Sequence, residues 1–194
     1  MAEIYLVRHG KAAAGFGSHR DPGLDAVGRD QAEQAADNLE TLLENRLAGD
    51  MHPKESVKLW SSPLARAQET AQPLAARWGA SVSIETRVAE IPSPTEDLNE
   101  RAAWLGQAMQ GNWSALDATV QAWRQNLVDC LLGLEQDSIL FSHFVAINAA
   151  VGAAQNDDRM RVFAPDNASI TILSNADGDL VVKELGMTAV TKVN

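Results

Sequence analysis

The sequence predicts an α/β fold of three layers (α/β/α), in which helices cover both faces of a mostly parallel central sheet. Strand-like runs alternate with helix-like stretches along the 194 residues, an order typical of parallel strands joined by crossover helices. Near the C-terminus, strand-like runs at 169–173 and 180–184 flank Asn175 to Gly178, a segment typical of a hairpin turn. The sheet is therefore expected to have an antiparallel C-terminal edge. We expect one domain over residues 1–194, with a small helical insertion near 95–125.

Four strands are predicted before the hairpin, each from a short apolar run. They cover residues 3–7, 57–60, 81–85 and 139–141. Apolar residues at helical spacing predict helices over 28–47, from Pro63 to Trp78, over 96–110, over 114–135 and from Phe144 onward. In the second of these helices, we expect Ser62 to cap the start, Pro63 to occupy the first helical position and Gly79 to end the helix.

Composition and charge limit the class of protein. An apolar content of 45% and a charged content of 22% are ordinary for a globular chain. The net charge of −10 argues against a nucleic-acid or anionic-membrane surface, so neither partner is expected. No apolar stretch is long enough to span a bilayer and no signal-peptide pattern is visible, so we expect a cytoplasmic protein. Cys130 is the single cysteine and is expected to be a buried structural thiol.

Residues that can bind phosphate follow four of the predicted strands. Arg8-His9-Gly10 ends the first strand, and Arg66 lies in the first turn of the helix after the second. Glu90 follows the third strand, and Ser142-His143 ends the fourth. If the strands are parallel neighbours, these residues meet at one edge of the sheet. Arginines offer paired N–H donors there, and the helix that opens at Phe144 offers oriented backbone amides.

These side chains together predict phosphoryl transfer. His9 is the candidate nucleophile, because nearby guanidinium groups lower the pKa of its imidazole and favour an unprotonated nitrogen. His143 is expected to donate to the transferring oxygens, and Glu90 to protonate the leaving oxygen and later activate water. Taken singly, Arg8 could be a surface cation and His9 a core histidine. The four strand ends taken together favour a phosphate pocket.

Other polar residues have weaker context. Lys11, which follows the first glycine, and His19 and Arg20, in a glycine-flanked loop near the expected mouth of the site, are candidate substrate contacts. His52 precedes a proline in a polar loop and is expected to be exposed. No His, Cys or Asp pair has the spacing of a zinc site, so neither a metal nor a cofactor is expected. The oligomeric state is left open by the sequence.

Three segments, in order, resemble the histidine phosphatase superfamily, the group that also contains the cofactor-dependent phosphoglycerate mutases. They are Leu6-Val7-Arg8-His9-Gly10, the run from Ser61 to Ala71, and Ser142-His143; the stretch 21–32 is similar as well. The resemblance implies that His9 becomes phosphorylated. It also implies a phosphate pocket formed by Arg8, Arg66 and His143. Glu90 matches the usual position of the proton donor, and no metal is implied.

Departures from the family pattern bear on function. Ile91-Pro92-Ser93-Pro94 follows Glu90 where many small-metabolite phosphatases have glycine and tryptophan, and Phe144 stands where a glycine pair is commoner. The mutase-specific insertions are missing, which favours hydrolysis over mutase activity. We expect hydrolysis of phosphomonoesters or phosphoramidates through a phosphohistidine at His9, on a phosphorylated small molecule or a phosphoprotein. The alternatives are a protein phosphohistidine phosphatase and a phosphate-recognising regulatory module with little turnover.

Overall fold

A computed structural model describes residues 1–15, 18–46 and 53–189, and its centre is a six-stranded mixed sheet. The strands are β1 (Glu3–Arg8), β2 (Lys58–Ser61), β3 (Ser83–Ile84), β4 (Ser138–Ser142), β5 (Ile170–Ala176) and β6 (Asp179–Glu184). Their order across the sheet is β3-β2-β4-β1-β5-β6. The first four strands in this order are parallel, and β5 runs antiparallel to both of its neighbours. The predicted fold class is confirmed.

Helices pack on both faces of the sheet. They are α1 (Ala26–Arg46), α2 (Pro53–Ser56), α3 (Ala65–Trp78), α4 (Leu98–Ala108), α5 (Ala118–Leu132) and α6 (Phe144–Gln155), with 3₁₀ turns at Thr86–Val88 and Trp113–Ala115. Side chains of β1 alternate between the two faces, as a strand requires. Ile4 and Leu6 join a core with α5 and α6, while Tyr5 and Val7 join a core with α1 and α3. Burial on both faces explains why this strand reads as a continuous apolar run.

The start of α3 differs from the prediction. The helix begins at Ala65, two residues after the expected position at Pro63. The Ser62 hydroxyl accepts the Leu64 N–H at 3.2 Å and so supports the turn that precedes the helix. The N–H of Ala65 is accepted by the Asp21 carboxylate at 2.8 Å. The first helical donor is therefore satisfied from a distant loop, which the local sequence could not indicate.

The hairpin turn is tighter than the sequence predicted. Strand β5 continues through Ala176, and the turn consists of Asp177 and Gly178, with φ of 56° and 87°. Two consecutive positive φ angles suit the twist of a two-residue hairpin. Asn175 is a strand residue, and its amide nitrogen donates to three carbonyls at the end of α5 and just beyond it. Its side chain thus joins the antiparallel edge to the helical layer.

Smaller differences lie at the edge of the sheet. Strand β3 has two residues where five were expected, and the short helix α2 was not predicted. Cys130 is buried, as expected. His52 and residue 47, the expected end of the first long helix, lie outside the described residues. None of the described helices is long and apolar enough to cross a membrane.

The register of the parallel strands aligns their carboxyl ends. Arg8 of β1 lies opposite Ser142 of β4, and Ser61 of β2 lies opposite Phe141 of β4. The N–H of His9 also donates to the Ser142 carbonyl at 3.0 Å, so the hydrogen-bonded ladder continues past the end of β1. The residues that directly follow these strands are therefore held at one edge of the sheet by backbone hydrogen bonds.

Candidate active site

The turn after β1 has no room for side chains. A Cβ on Gly10 would lie 2.4 Å from the Gly28 carbonyl oxygen, and a Cβ on Gly28 would lie 2.1 Å from the Lys11 carbonyl oxygen. Thr70 in α3 holds the turn from the other side. Its hydroxyl accepts the Gly10 N–H at 3.0 Å and donates to the Arg66 carbonyl at 2.6 Å. The turn is thus packed against α1 and α3.

His9 has one ring nitrogen bound to the backbone and the other facing an arginine. Nδ1 lies 2.7 Å from the Gly10 carbonyl oxygen, which can only accept, so Nδ1 carries the proton. Nε2 is then the unprotonated nitrogen, and it accepts from Nε of Arg66 at 3.2 Å. Burial, followed by the charges of Arg66 and Arg8, lowers the pKa of His9 to about 3. The ring is therefore neutral over the physiological pH range, with its lone pair directed at a cation.

His143 is completely buried where β4 meets α6. Its Nε2 lies 2.7 Å from the Ser62 hydroxyl, and its ring centroid lies 5.1 Å from that of His9. Nδ1 has no hydrogen-bond partner among the described residues and lies 3.9 Å from the Glu90 carboxylate. Burial, His9 and the two arginines keep the pKa of His143 well below its usual value. Its Nδ1 is thus left for a further polar group.

Two arginines, the half-buried Arg8 and the buried Arg66, flank the histidines. Arg8 donates from Nη1 to the Pro165 carbonyl at 2.9 Å, and its guanidinium carbon lies 5.2 Å from the ring centroid of Phe144. The buried Nε of Arg8 has no hydrogen-bond partner within the described part of the chain. Arg66 is 5% exposed, and its Nη1 lies 3.9 Å from Asp21. Buried guanidinium donors of this kind suit an anionic ligand.

Glu90 follows the 3₁₀ turn Thr86–Val88 and points into the same region. Its carboxylate accepts the Ile91 N–H at 3.1 Å, and its side chain is 8% exposed. Burial raises the pKa of Glu90, and the charges of Arg66 and of two further arginines oppose this in part. A raised pKa favours the protonated carboxyl group, which is the form that a general acid needs.

The three residues predicted to contact the substrate, Lys11, His19 and Arg20, lie in loops around the mouth of the site, which we call the rim. Lys11 forms an ion pair with Asp25 at 3.0 Å, and Nδ1 of the exposed His19 accepts the Asp21 N–H at 3.1 Å. Arg20 forms an ion pair with the carboxylate of Glu96 and donates to its carbonyl at 3.2 Å. Within the described residues, the hydrogen bonds and ion pairs of these three side chains go to rim loops and not to His9 or Arg66.

A family model described as the Histidine phosphatase superfamily (branch 1) matches residues 4–188. The chain belongs to this superfamily. The assignment makes the protein a phosphohydrolase, and it confirms the family that the three sequence segments indicated. A search of curated protein sequences finds no significant match.

Solved structures of phosphatases share the fold. The phosphoserine phosphatase of Entamoeba histolytica is 22% identical, with a TM-score of 0.71 and coverage of 97% of this chain and 98% of that one. A mycobacterial glucosyl-3-phosphoglycerate phosphatase is 23% identical, with a TM-score of 0.69 and coverage of 97% and 100%. An Escherichia coli protein described as a putative alpha-ribazole-5'-P phosphatase is 19% identical, with a TM-score of 0.69 and coverage of 99% of both chains. At these identities the likeness concerns the fold alone.

In this histidine phosphatase, the predicted pocket residues come together and the rim residues do not join them. Arg8, His9, Arg66, Glu90 and His143 surround one site at the carboxyl edge of the sheet, where α6 begins at Phe144. Two guanidinium groups, two neutral imidazoles, a helix N-terminus and one carboxyl group can hold a phosphoryl group and supply a proton. Among the described residues, no cluster of His, Cys, Asp or Glu could hold a metal ion.

The sequence did not identify four residues that lie near the site and act on its side chains or backbone. Thr70 lies in the quoted motif, four residues after Arg66, and this spacing is the signal that could have identified it. The amide nitrogen of Asn167 donates to the His9 carbonyl at 2.9 Å, and no pattern in the sequence indicated this contact. Asp21 and Arg101 act from a loop and from α4, and no local pattern connects either of them to the strand ends.

Proposed function

We propose that this phosphatase hydrolyses phosphomonoesters of small molecules through a covalent phosphohistidine on His9. The observation that carries the proposal is the state of the His9 ring. Its Nδ1–H is held by the Gly10 carbonyl, and its unprotonated Nε2 faces the buried guanidinium of Arg66. This arrangement supports a nucleophilic nitrogen directed into a cationic pocket.

Binding of the phosphoryl group would use donors that already lie around Nε2. Nδ1 of His143 and Nε of Arg8 are buried, and neither has a hydrogen-bond partner in the described residues. The amide at the start of α6 adds partial positive charge. In the structure, Nε of Arg66 donates to Nε2 at 3.2 Å. When it donates to a phosphate oxygen instead, the lone pair of Nε2 becomes free to attack phosphorus.

Two steps complete the reaction. In the first, Nε2 of His9 forms a bond to phosphorus, the bond from phosphorus to the ester oxygen breaks, and Glu90 gives its proton to that oxygen. In the second step, the Glu90 carboxylate takes a proton from a water molecule while the oxygen of that water attacks phosphorus. The bond between nitrogen and phosphorus then breaks, and its electron pair returns to Nε2. Glu90 ends protonated and ready for the next turnover.

A small substrate is favoured by the depth of the site and by its rim. His9 is 8% exposed and His143 is completely buried. The Arg20–Glu96 pair connects the loop after β1 to the start of α4, beside the site. A side chain on a folded protein would have to pass this rim to reach Nε2. The structural neighbours named for phosphoserine and glucosyl-3-phosphoglycerate also support a small phosphorylated substrate.

The test is hydrolysis of para-nitrophenyl phosphate by the wild-type chain and by His9→Asn, with matched thermal unfolding curves to confirm that the variant folds. We expect turnover by the wild type and a loss of at least about 10⁴-fold in kcat for the variant, because the nucleophile is removed. A variant that retains a tenth of the activity would contradict the proposal. Phosphate binding without turnover in the wild type would indicate a binding module instead.

A further inference from the structure

Ser62 and His143 lie side by side at the carboxyl edge of the sheet. Ser62 follows β2, and its N–H donates to the Phe141 carbonyl at 2.9 Å, which extends the pairing of β2 with β4. His143 follows β4 and precedes α6, and its carbonyl accepts the Ile147 N–H at 3.0 Å. Both residues are completely buried. Backbone hydrogen bonds therefore fix both ends of the contact between the Ser62 hydroxyl and Nε2 of His143, which is 2.7 Å long.

The hydroxyl group of Ser62 has one hydrogen to donate, and its surroundings restrict where that hydrogen can go. The hydroxyl oxygen already accepts the Leu64 N–H at 3.2 Å. Among the described residues, its only other hydrogen-bond partner is Nε2 of His143. A backbone N–H cannot accept a hydrogen bond, but an unprotonated imidazole nitrogen can. If Nε2 carried the proton instead, the buried hydroxyl hydrogen would be left without an acceptor, which is rare for buried polar groups.

The other ring nitrogen of His143, Nδ1, lies toward the site. It is buried, has no hydrogen-bond partner in the described part of the chain, and lies 3.9 Å from the Glu90 carboxylate. Burial, His9 and the two arginines of the site keep the pKa of His143 well below its usual value, so the ring carries a single proton. A proton on Nδ1 makes this nitrogen a donor, whereas a lone pair there would repel an anionic oxygen. The position of the single proton therefore decides whether His143 attracts or repels phosphate.

We propose that Ser62 is a positioning residue, whose hydroxyl donates to Nε2 of His143 and so holds the single proton of that ring on Nδ1, the nitrogen that donates to the phosphoryl group. The proposal rests on the proposed function, in which the phosphoryl group moves to His9. The two histidines then share one tautomer but use opposite nitrogens. His9 gives its Nδ1–H to the Gly10 carbonyl and keeps Nε2 as the nucleophile. His143 binds Ser62 through Nε2 and keeps Nδ1–H as the donor.

The position of the proton can be read by ¹⁵N NMR, because protonated and unprotonated imidazole nitrogens differ widely in chemical shift. The chain, labelled with ¹⁵N-histidine, is measured near neutral pH in phosphate-free buffer. It has four histidines, and the signals of His143 are those that are lost in His143→Leu. We expect the wild type to carry the proton on Nδ1, and Ser62→Ala to show a measurable population with the proton on Nε2. A wild-type ring with its proton on Nε2, or an unchanged ring in Ser62→Ala, would overturn the proposal.

Vanadate binding measures the consequence for an anion. We expect at least about fivefold weaker binding in Ser62→Ala, because a charge-assisted donor is weakened. Ser62→Thr keeps the hydroxyl and should bind within about threefold of the wild type. Ser138→Ala is the matched control, since this buried hydroxyl at the start of β4 also accepts one N–H, from Trp60, and donates once, to the Gln136 carbonyl. Vanadate binding by Ser138→Ala should change by less than about twofold.

A double substitution separates this role from a merely structural one. Ser62→Ala also removes the acceptor of the Leu64 N–H, just before the helix that carries Arg66. If Ser62 acts through His143, Ser62→Ala should change vanadate binding by less than about twofold in the His143→Leu background. An undiminished effect in that background, or wild-type binding in Ser62→Ala alone, would overturn the proposal. Neither measurement needs turnover, so a wild type that fails to hydrolyse para-nitrophenyl phosphate refutes the proposed function, whereas turnover with the proton on Nε2 refutes the role of Ser62 alone.

Discussion

The two ends of the site are built in different ways. The proposed phosphate end consists of four residues at or directly after the ends of parallel strands or in the first turn of the following helix: Arg8, His9, Arg66 and His143. The proposed leaving-group end consists of Glu90, which follows a 3₁₀ turn, and of the Arg20–Glu96 pair, which joins two loops. The first end depends on backbone ladders, and the second depends on side-chain contacts.

This difference has an energetic side. At the phosphate end, the His9 N–H donates to the Ser142 carbonyl and the Gly10 N–H donates to the Thr70 hydroxyl, and these groups are buried. At the leaving-group end, both members of the Arg20–Glu96 pair are largely exposed, at 62% and 82% of the side chain. Exposed pairs contribute about 0–1 kcal/mol. Sequence changes at the exposed Arg20–Glu96 pair, as distinct from Glu90, are therefore expected to leave the phosphoryl chemistry unchanged.

The largest contrast between the two ends is expected from Glu90→Gln. For an alkyl phosphate with a poor leaving group, kcat should fall by about 10²–10⁴-fold, because no proton reaches the departing oxygen. For para-nitrophenyl phosphate, whose leaving group needs little protonation, transfer to His9 should slow by less than about tenfold. Steady-state rates with alkyl phosphates and burst kinetics with para-nitrophenyl phosphate measure the two effects. Glu44→Gln, at an exposed position in α1, is the matched control.

The same variant gives a pH test with a defined sign. Burial raises the pKa of Glu90, and the protonated form is the one that donates. For the poor leaving group, kcat/KM of the wild type should therefore fall as the pH rises through the pKa of Glu90. The pH profile of Glu90→Gln should lack this fall in kcat/KM, while ionisation of the substrate affects both proteins alike. If Glu90→Gln loses the same activity on good and poor leaving groups and its kcat/KM still falls as the pH rises, the general acid is another residue.

A smaller effect should follow from Thr70→Val, which acts on the phosphate end. The variant leaves the buried Gly10 N–H without its acceptor and removes the connection between the turn and α3. We expect a loss of about 1–3 kcal/mol in the free energy of unfolding and about tenfold weaker vanadate binding. Denaturant unfolding and vanadate inhibition of para-nitrophenyl phosphate hydrolysis measure these quantities.

Arg20→Met provides the comparison for Thr70→Val at the rim. Because the Arg20–Glu96 pair is exposed, its loss should change vanadate binding by less than about twofold. Thr119→Val, at an exposed position in α5, is the matched control for Thr70→Val, because it removes a hydroxyl group away from the site. If Arg20→Met weakens vanadate binding as much as Thr70→Val does, the division of the site into two ends is wrong.

The phosphate end could be predicted from the sequence because its residues adjoin apolar runs. Arg8 and His9 follow a run that is buried on both faces, and the parallel pairing of β1, β4 and β2 then brings three strand ends together. The position of Glu90 after the third strand was also predicted, although β3 itself has only two residues. In each case a local pattern and one rule of sheet topology were sufficient.

The remaining contacts are not local. Asp21 satisfies the first donor of α3 from 44 residues away, and Asn167 donates to His9 from 158 residues away. Arg101 stands on a helix whose direction relative to the sheet is set by packing and by the bond from Arg20 to Glu96. No periodicity or motif in a single sequence encodes such tertiary contacts. Side chains that meet only after folding therefore escaped prediction.

The covalent phosphohistidine can be tested most directly by trapping it. Glu90→Gln is mixed with para-nitrophenyl phosphate, because the good leaving group allows phosphorylation while the missing base slows hydrolysis of the intermediate. The reaction is quenched in alkali, in which a phosphoramidate survives, and the peptides are examined by mass spectrometry. We predict one phosphoryl group on the peptide that contains His9, and none when His9 is also replaced by Asn. A phosphoryl group on His143, or a burst of para-nitrophenol with no phosphorylated peptide, would contradict the mechanism.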